Sequence, residues 1–137
     1  MKYTEFKSLK EKGVNDFPMF FAFSQKQLDE GIKKFNISKD NKMVSIGMGG
    51  YIQSKDKADY IKLMEAVDTT TNKFLRKKSQ LIDALVYELG NHEYCVTGDL
   101  LPTLDCLGIK SNKLNDMQKR AIKEAKQIYY ENREGSN

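Results

Sequence analysis

A chain of 137 residues, 39% apolar and 31% charged, is long enough to enclose a core of its own without disulfides or metal to hold it together. No window approaches the roughly 18 uninterrupted apolar residues that span a bilayer, and the opening MKYTEFKSLKEKG carries charges where a signal peptide needs an apolar stretch, so the expected setting is the cytoplasm, away from membrane. The net charge of +4 permits nucleic acid or an acidic protein as partner and demands neither.

Thr4 to Lys12 predicts a short helix ended by Gly13, with Tyr3, Phe6 and Leu9 leaning to one side. Asp16 to Phe23, DFPMFFAF, is an unbroken apolar and aromatic run too short for a typical helix. With Pro18 near its start it predicts a strand buried on both faces, so Phe17, Phe20, Phe21 and Phe23 are expected in the core and not on a base-stacking platform. Ser24 is placed to cap a helix from Gln25 to about Phe35, with Gln27 reaching back and Phe23 and Leu28 spaced as a hydrophobic staple. Its buried face would be Leu28, Ile32 and Phe35. After a polar loop, Ser38 to Asn41, the runs Met43 to Ile46 and Tyr51 to Gln53 flank Gly47-Met48-Gly49-Gly50, the pattern of a short hairpin with a glycine-rich turn.

Helical periodicity returns from Asp56 to Leu89, interrupted at Asp68 to Asn72 by the poor helix formers DTTTN, so one bent helix or two consecutive ones fit. Gly90 is expected as the left-handed cap residue, followed by an extended or turn-like His92 to Val96 in which Glu93 to Val96 offers a fourth strand. Asp99 is placed to cap a short helix with Pro102 in its first turn and Gly108 at its end. A last helix from about Asn115 to Tyr130 buries Met117, Ala121, Ile122, Ala125, Ile128 and Tyr129, and the tail ENREGSN is expected to fray. The fold class is α+β: one domain over residues 1–137, a small, mostly antiparallel sheet of about three strands covered by helices, with a helical C-terminal half. The open sheet edge would allow pairing with a second copy as a homodimer.

Candidate chemistry concentrates between Leu81 and Ile109, which hold the single histidine, His92, and both cysteines, Cys95 and Cys106. His92, Glu93, Cys95 and Asp99 offer an imidazole, a thiol and two carboxylates, but their spacing matches no closed zinc pattern, and Val96 stands where an HExxH helix needs its second histidine. No metal, cofactor or catalytic residue is therefore assigned. Asn91 and His92 are expected to satisfy carbonyls at a helix end, with Tyr94 packed inward and Cys95 and Cys106 as buried thiols. The GMGG turn would let a ligand approach the backbone closely, yet it lacks both the Gly-Lys-Ser/Thr of a P-loop and the third glycine of GxGxxG. Gly47, Gly49, Gly50, Tyr51, Asn91, His92, Glu93 and Asp99 stand as candidate ligand contacts. Lys119, Arg120, Lys123 and Lys126 of the basic last helix stand as candidate contacts for nucleic acid or a partner protein.

Three segments are familiar: FFAFSQKQLDEGIKK at Phe20 to Lys34, SIGMGGYIQSKD at Ser45 to Asp56, and LVYELGNHEYCVTGDLLPTLDCLGI at Leu85 to Ile109. Together they resemble an uncharacterised family of small proteins carried by bacteriophages and other bacterial mobile elements, most specifically in Glu88-Leu89-Gly90-Asn91-His92-Glu93-Tyr94 followed by Thr97, Asp99 and Leu107-Gly108. The resemblance implies a mobile-element origin and carries no activity onto these positions. With no complete catalytic set, the expectation is a non-enzymatic accessory protein that binds a host or defence protein as an inhibitor. The alternatives are a small-ligand or nucleotide binder using the GMGG turn with Tyr51, a nucleic-acid binder, and an enzyme centred on His92, Glu93 and Asp99.

Overall fold

In the computed structural model, which describes residues 1–38 and 41–134, the chain divides into two units, Lys10–Ala66 and Met1–Leu9 with Val67–Asn137. Helices α1 (Tyr3–Asn15) and α3 (Lys57–Phe74) contribute to both. The architecture is α+β, with one small antiparallel sheet and a helical C-terminal half.

The Lys10–Ala66 unit holds β1 (Phe20–Phe21), α2 (Gln25–Lys34), β2 (Met43–Gly47) and β3 (Gly50–Gln53) in the order β1-β3-β2, with Phe20 opposite Tyr51 and Val44 opposite Ile52. Gly47, Met48 and Gly49 all take positive φ, which reverses the chain between β2 and β3. The predicted cap of α2 forms: the Ser24 hydroxyl accepts from the Gln27 N–H at 3.2 Å, and the Gln27 side-chain amide oxygen accepts from the Phe23 N–H at 2.7 Å. The Phe20 ring lies on the rings of Phe35 and Tyr51 and so close to Gly31 that a Cβ there would overlap it. A glycine inside α2 thus admits an aromatic ring against the helix backbone.

The run DFPMFFAF does not become a strand buried on both faces. Only Phe20 and Phe21 pair, and Phe21 and Phe23 are 59% and 76% exposed while Ala22 between them is buried. The two-residue alternation of extended chain turns the small side chain inward and the two large ones outward. Of the polar loop Ser38 to Asn41, Lys39 and Asp40 lie outside the described residues.

In the other unit, α4 (Lys78–Asn91) lies along α7 (Asp116–Glu134), and α5 (Tyr94–Thr97) and α6 (Leu101–Cys106) pack against α4. Leu81, Ala84, Leu85 and Leu89 of α4 meet Ala121, Ile122, Ala125 and Tyr129 of α7, with Leu104, Leu107, Ile109, Tyr3, Phe6, Phe74 and Leu75 completing the core. Each buried leucine contributes about 1.5–3 kcal/mol through the apolar surface it removes from water. Phe6 stacks on Phe74 with ring centres 4.3 Å apart. Among the described residues no helix is long and apolar enough to cross a membrane.

Several predicted boundaries move, each for a local reason. Helix α3 runs straight through DTTTN to Phe74, because the Thr71 hydroxyl donates to the Val67 carbonyl at 2.8 Å and both Thr71 and Phe74 are buried; packing overrides propensity, and the break falls instead between Phe74 and Lys78. Helix α1 likewise continues past Gly13 to Asn15. Gly90 stays helical within α4, and the left-handed residue is Glu93, with φ of 53°. Glu93 to Val96 supplies no fourth strand, since Tyr94–Thr97 closes a helical turn. Pro102 falls in the first turn of α6 as expected, but the residue at the cap position is Leu100, which makes no side-chain cap bond; Asp99, one residue earlier, accepts from the Leu101 N–H at 3.0 Å. Gly108 then takes the left-handed conformation that lets the Ile109 N–H reach the Leu104 carbonyl at 2.9 Å. Asn115 and Gln118 bond reciprocally at 2.7 and 3.0 Å to open α7, which runs beyond the expected end at Tyr130 to Glu134. Ile128 lies on the exposed flank of that helix, outside the buried row Ala121, Ile122, Ala125 and Tyr129.

Candidate functional site

The buried positions of α4 are Leu81, Ala84, Leu85, Glu88 and Leu89, the spacing of one helix face, and this places a carboxylate inside the core. Glu88 is fully buried. Its Oε1 accepts from the Tyr3 hydroxyl and from the Lys7 ammonium, both at 2.8 Å, and its Oε2 accepts from the Asn91 amide at 3.2 Å. The Cys106 thiol also hydrogen-bonds the carboxylate. His92 Nε2 stands 3.2 Å from Oε2 but off the line of a hydrogen bond, and this buried nitrogen has no hydrogen-bond partner among the described residues.

Burial alone would push the Glu88 carboxyl up. The hydrogen bonds from Lys7, Tyr3, Asn91 and Cys106 outweigh it and hold the group down at about 2. Burial opposes the charge on Lys7 too, yet the bond to Glu88 leaves its ammonium pKa above the usual value. The Tyr3 phenol is pushed well above its ordinary range, first by burial and then by the adjacent carboxylate. The cluster is therefore a buried anion held by one cation and neutral donors, and the Lys7 ammonium also lies 4.9 Å from the centre of the Tyr87 ring.

Glu88, His92 and Cys106 bring one carboxylate oxygen, one imidazole nitrogen and one sulfur within 4.8 Å of each other. Glu88 and His92 are one helical turn apart on α4. Cys106 ends α6, which is fixed to α4 where the buried Thr103 hydroxyl donates to the Glu88 backbone carbonyl at 3.3 Å. Of the set His92, Glu93, Cys95 and Asp99, His92 alone joins this group. Glu93 is an exposed left-handed link, Asp99 accepts from the Leu101 N–H just before α6, and the Cys95 N–H is taken by the Tyr129 hydroxyl at 3.1 Å. Neither Cys95 nor Cys106 is a buried thiol, because each lies on a short helix with one face to solvent. Asn91 turns its side chain to the carboxylate of Glu88, and the helix-end carbonyl of Glu88 is met by the His92 backbone N–H at 2.9 Å.

The remaining sequence candidates lie elsewhere. Gly47, Gly49 and Gly50 form the hairpin turn, with the Phe23 ring lying against Gly49 and the Gly49 carbonyl accepting from the Ala22 N–H at 2.8 Å; Tyr51 stacks on Phe20. Lys119, Arg120 and Lys123 are exposed on α7, while Lys126 is half-buried over the Tyr94 ring. Two features of the Lys10–Ala66 unit escaped sequence reasoning. Phe21, Phe23 and Met48 are 59%, 76% and 94% exposed around the edge strand and hairpin turn. Beside them, between β1 and α2, is a cleft of about 480 Å³ lined by Phe20, Phe21, Gln27, Glu30, Lys34 and Phe35 among others.

The profile of DUF7659, a family of unknown function, matches residues 2–132. The chain belongs to this family. No curated protein and no solved structure matches it. The DUF7659 match includes Glu88, His92 and Cys106 as well as the aromatic tip. In this DUF7659 chain Glu88 and Cys106 are the residues of the cluster that sequence reasoning missed, and for Glu88 a signal was present: it occupies an apolar-stripe position between Leu85 and Leu89, where an acid is almost never found unless paired.

Proposed function

We propose that this chain is a non-enzymatic accessory protein of a bacteriophage or other mobile element that binds a host or defence protein, and that the binding inhibits its partner. The observation that carries the reading is the aromatic tip, where Phe21, Phe23 and Met48 hold large apolar side chains in water. Aromatic residues and methionine are the types enriched where proteins meet, and a handful of such anchors supplies most of the affinity of an interface. The occupant that fits is a folded protein offering an apolar recess to Phe23 and Met48, with polar groups at its rim to face Gln27, Glu30 and Lys34 beside the cleft. The mobile-element setting rests on the sequence resemblance of the three segments.

A small ligand in the GMGG turn is less well supported, because the Phe23 ring already lies against Gly49. The test compares the full chain with a Phe23→Ser, Met48→Ser double variant as baits in host lysate, both checked for equal melting temperature. Wild type is expected to retain one protein stoichiometrically and the variant to lose it by on the order of 100-fold, about what two anchors of 1–2 kcal/mol each supply. Recovery of the same proteins by both baits, or of none by either, would refute the proposal. Retention instead of single-stranded nucleic acid, falling steeply with salt, would replace the protein partner with a nucleic acid.

A further inference from the structure

We propose that Glu88, His92 and Cys106 form a binding site for a divalent transition-metal ion of the zinc class, with Glu88 Oε2, His92 Nε2 and Cys106 Sγ as protein ligands and water in the fourth position. The donor set selects the ion: one imidazole, one thiolate and one carboxylate suit borderline-soft zinc or cobalt, whereas magnesium and calcium take oxygen ligands. The distances are those of a site near assembly. Bonds of about 2.0–2.3 Å at tetrahedral angles put neighbouring ligand atoms roughly 3.3–3.6 Å apart; Nε2 and Oε2 already stand at 3.2 Å, and one carboxylate oxygen, one imidazole nitrogen and the sulfur of these residues lie within 4.8 Å of one another. Closing the widest pair takes about 1 Å, within reach of a χ1 rotation of Cys106 at the exposed end of α6.

Two further observations bear on the same point. His92 Nε2 is buried, faces a carboxylate oxygen and has no hydrogen-bond partner among the described residues, a costly arrangement for a polar nitrogen; a cation bound by both atoms removes that cost. The two carboxylate oxygens are also divided between tasks. Oε1 is taken by Tyr3 and Lys7, while Asn91 steadies Oε2, and the Cys106 S–H that bonds the carboxylate in the metal-free chain gives up that bond when its sulfur turns to the ion. Such supporting bonds orient and tune a ligating carboxylate. On binding, the Cys106 S–H bond breaks, its proton leaves to solvent and the sulfur lone pair goes to the ion, so one proton is released per ion bound.

The test uses the tag-free full chain, stripped with chelator and titrated with Co(II) and with Zn(II) against a chromophoric competitor. One equivalent of each ion is expected, with a thiolate-to-cobalt charge-transfer band. Cys106→Ser and His92→Ala should lose the band and weaken binding by on the order of 100-fold, since supporting partners alone are worth about 10–100-fold. Cys95→Ser should bind as wild type. Zinc should raise the melting temperature of wild type and of Cys95→Ser but not of Cys106→Ser, and circular dichroism verifies that each variant is folded. Absence of stoichiometric binding by the folded wild type, or binding that survives Cys106→Ser and is lost with Cys95→Ser, overturns the proposal.

Discussion

Replacing Glu88 with glutamine removes one negative charge and almost no volume from the centre of the helical unit. The folded carboxyl titrates at about 2 against an ordinary 4.5, and at about 1.36 kcal/mol per tenfold change in proton affinity the surroundings favour the anion over the neutral acid by about 3 kcal/mol. That is the size of loss expected on breaking a buried pair, about 3–5 kcal/mol. Relief is limited, because the Lys7 side chain is 22% exposed and can turn to water, whereas Tyr3 is 1% exposed and cannot. Urea unfolding in the presence of chelator at about pH 7 is therefore expected to place Glu88→Gln about 3 kcal/mol below wild type. The sign with pH follows from the lowered folded pKa. Between about 4.5 and about 2 the unfolded state binds the proton and the folded state does not, so the Glu88 contribution is full above that window and is lost as pH falls through it. At about pH 2 the two proteins should differ by under about 0.5 kcal/mol. A difference below about 1 kcal/mol at neutral pH, or one that persists undiminished in acid, would refute the account of Glu88 as a charge held by its donors.

Other changes test the packing. Gly31→Ala should destabilise the chain, since overlap with the Phe20 ring, costing about 1–3 kcal/mol, exceeds the helix-propensity gain of up to about 1 kcal/mol. Gly13→Ala in α1, with nothing near the added methyl, should stabilise it by about 0.5–1 kcal/mol, and equal shifts in melting temperature for the two would contradict the ring contact. Tyr129→Phe removes the acceptor of the Cys95 N–H, costs about 1 kcal/mol, and should speed hydrogen exchange at the Cys95 amide; unchanged exchange would argue against that bond.

What was legible in the sequence was the chemistry of boundaries that carry their own signal. Ser24 with Gln27, Pro102 and Gly108 each name a local hydrogen bond or a backbone conformation, and each is found where the residues place it, while Asp99 bonds the Leu101 N–H from one residue before the cap position. The α+β class and the three antiparallel strands follow from the same local reading. The misplaced boundaries share a cause. DTTTN and Gly90 are poor helix residues that lie inside helices because their neighbours Phe74 and Leu89 are anchored in the core, and tertiary burial of several kcal/mol overrules propensities below about 1 kcal/mol per residue. Within DFPMFFAF the opposite error arose: composition suggested burial, while alternation put Ala22 inside and Phe21 and Phe23 in solvent.

The candidate site was half legible, and the missing half was of two kinds. Glu88 and His92 are one turn apart, so their proximity is a property of any helix through both positions, and an acid in an apolar stripe announces a buried partner before any coordinates are known. Cys106 is different, because nothing within Leu100 to Ile109 says that its sulfur faces α4. That depends on Thr103 seating α6 against the Glu88 carbonyl, a contact across fifteen residues that only the folded chain defines. No closed zinc spacing runs through His92, Glu93, Cys95 and Asp99, neighbours in sequence of which His92 alone joins the cluster. Short-range motifs detect sites built on one loop or helix, and here the donors come from two helices, with Tyr3 and Lys7 arriving from a third to hold the carboxylate they share.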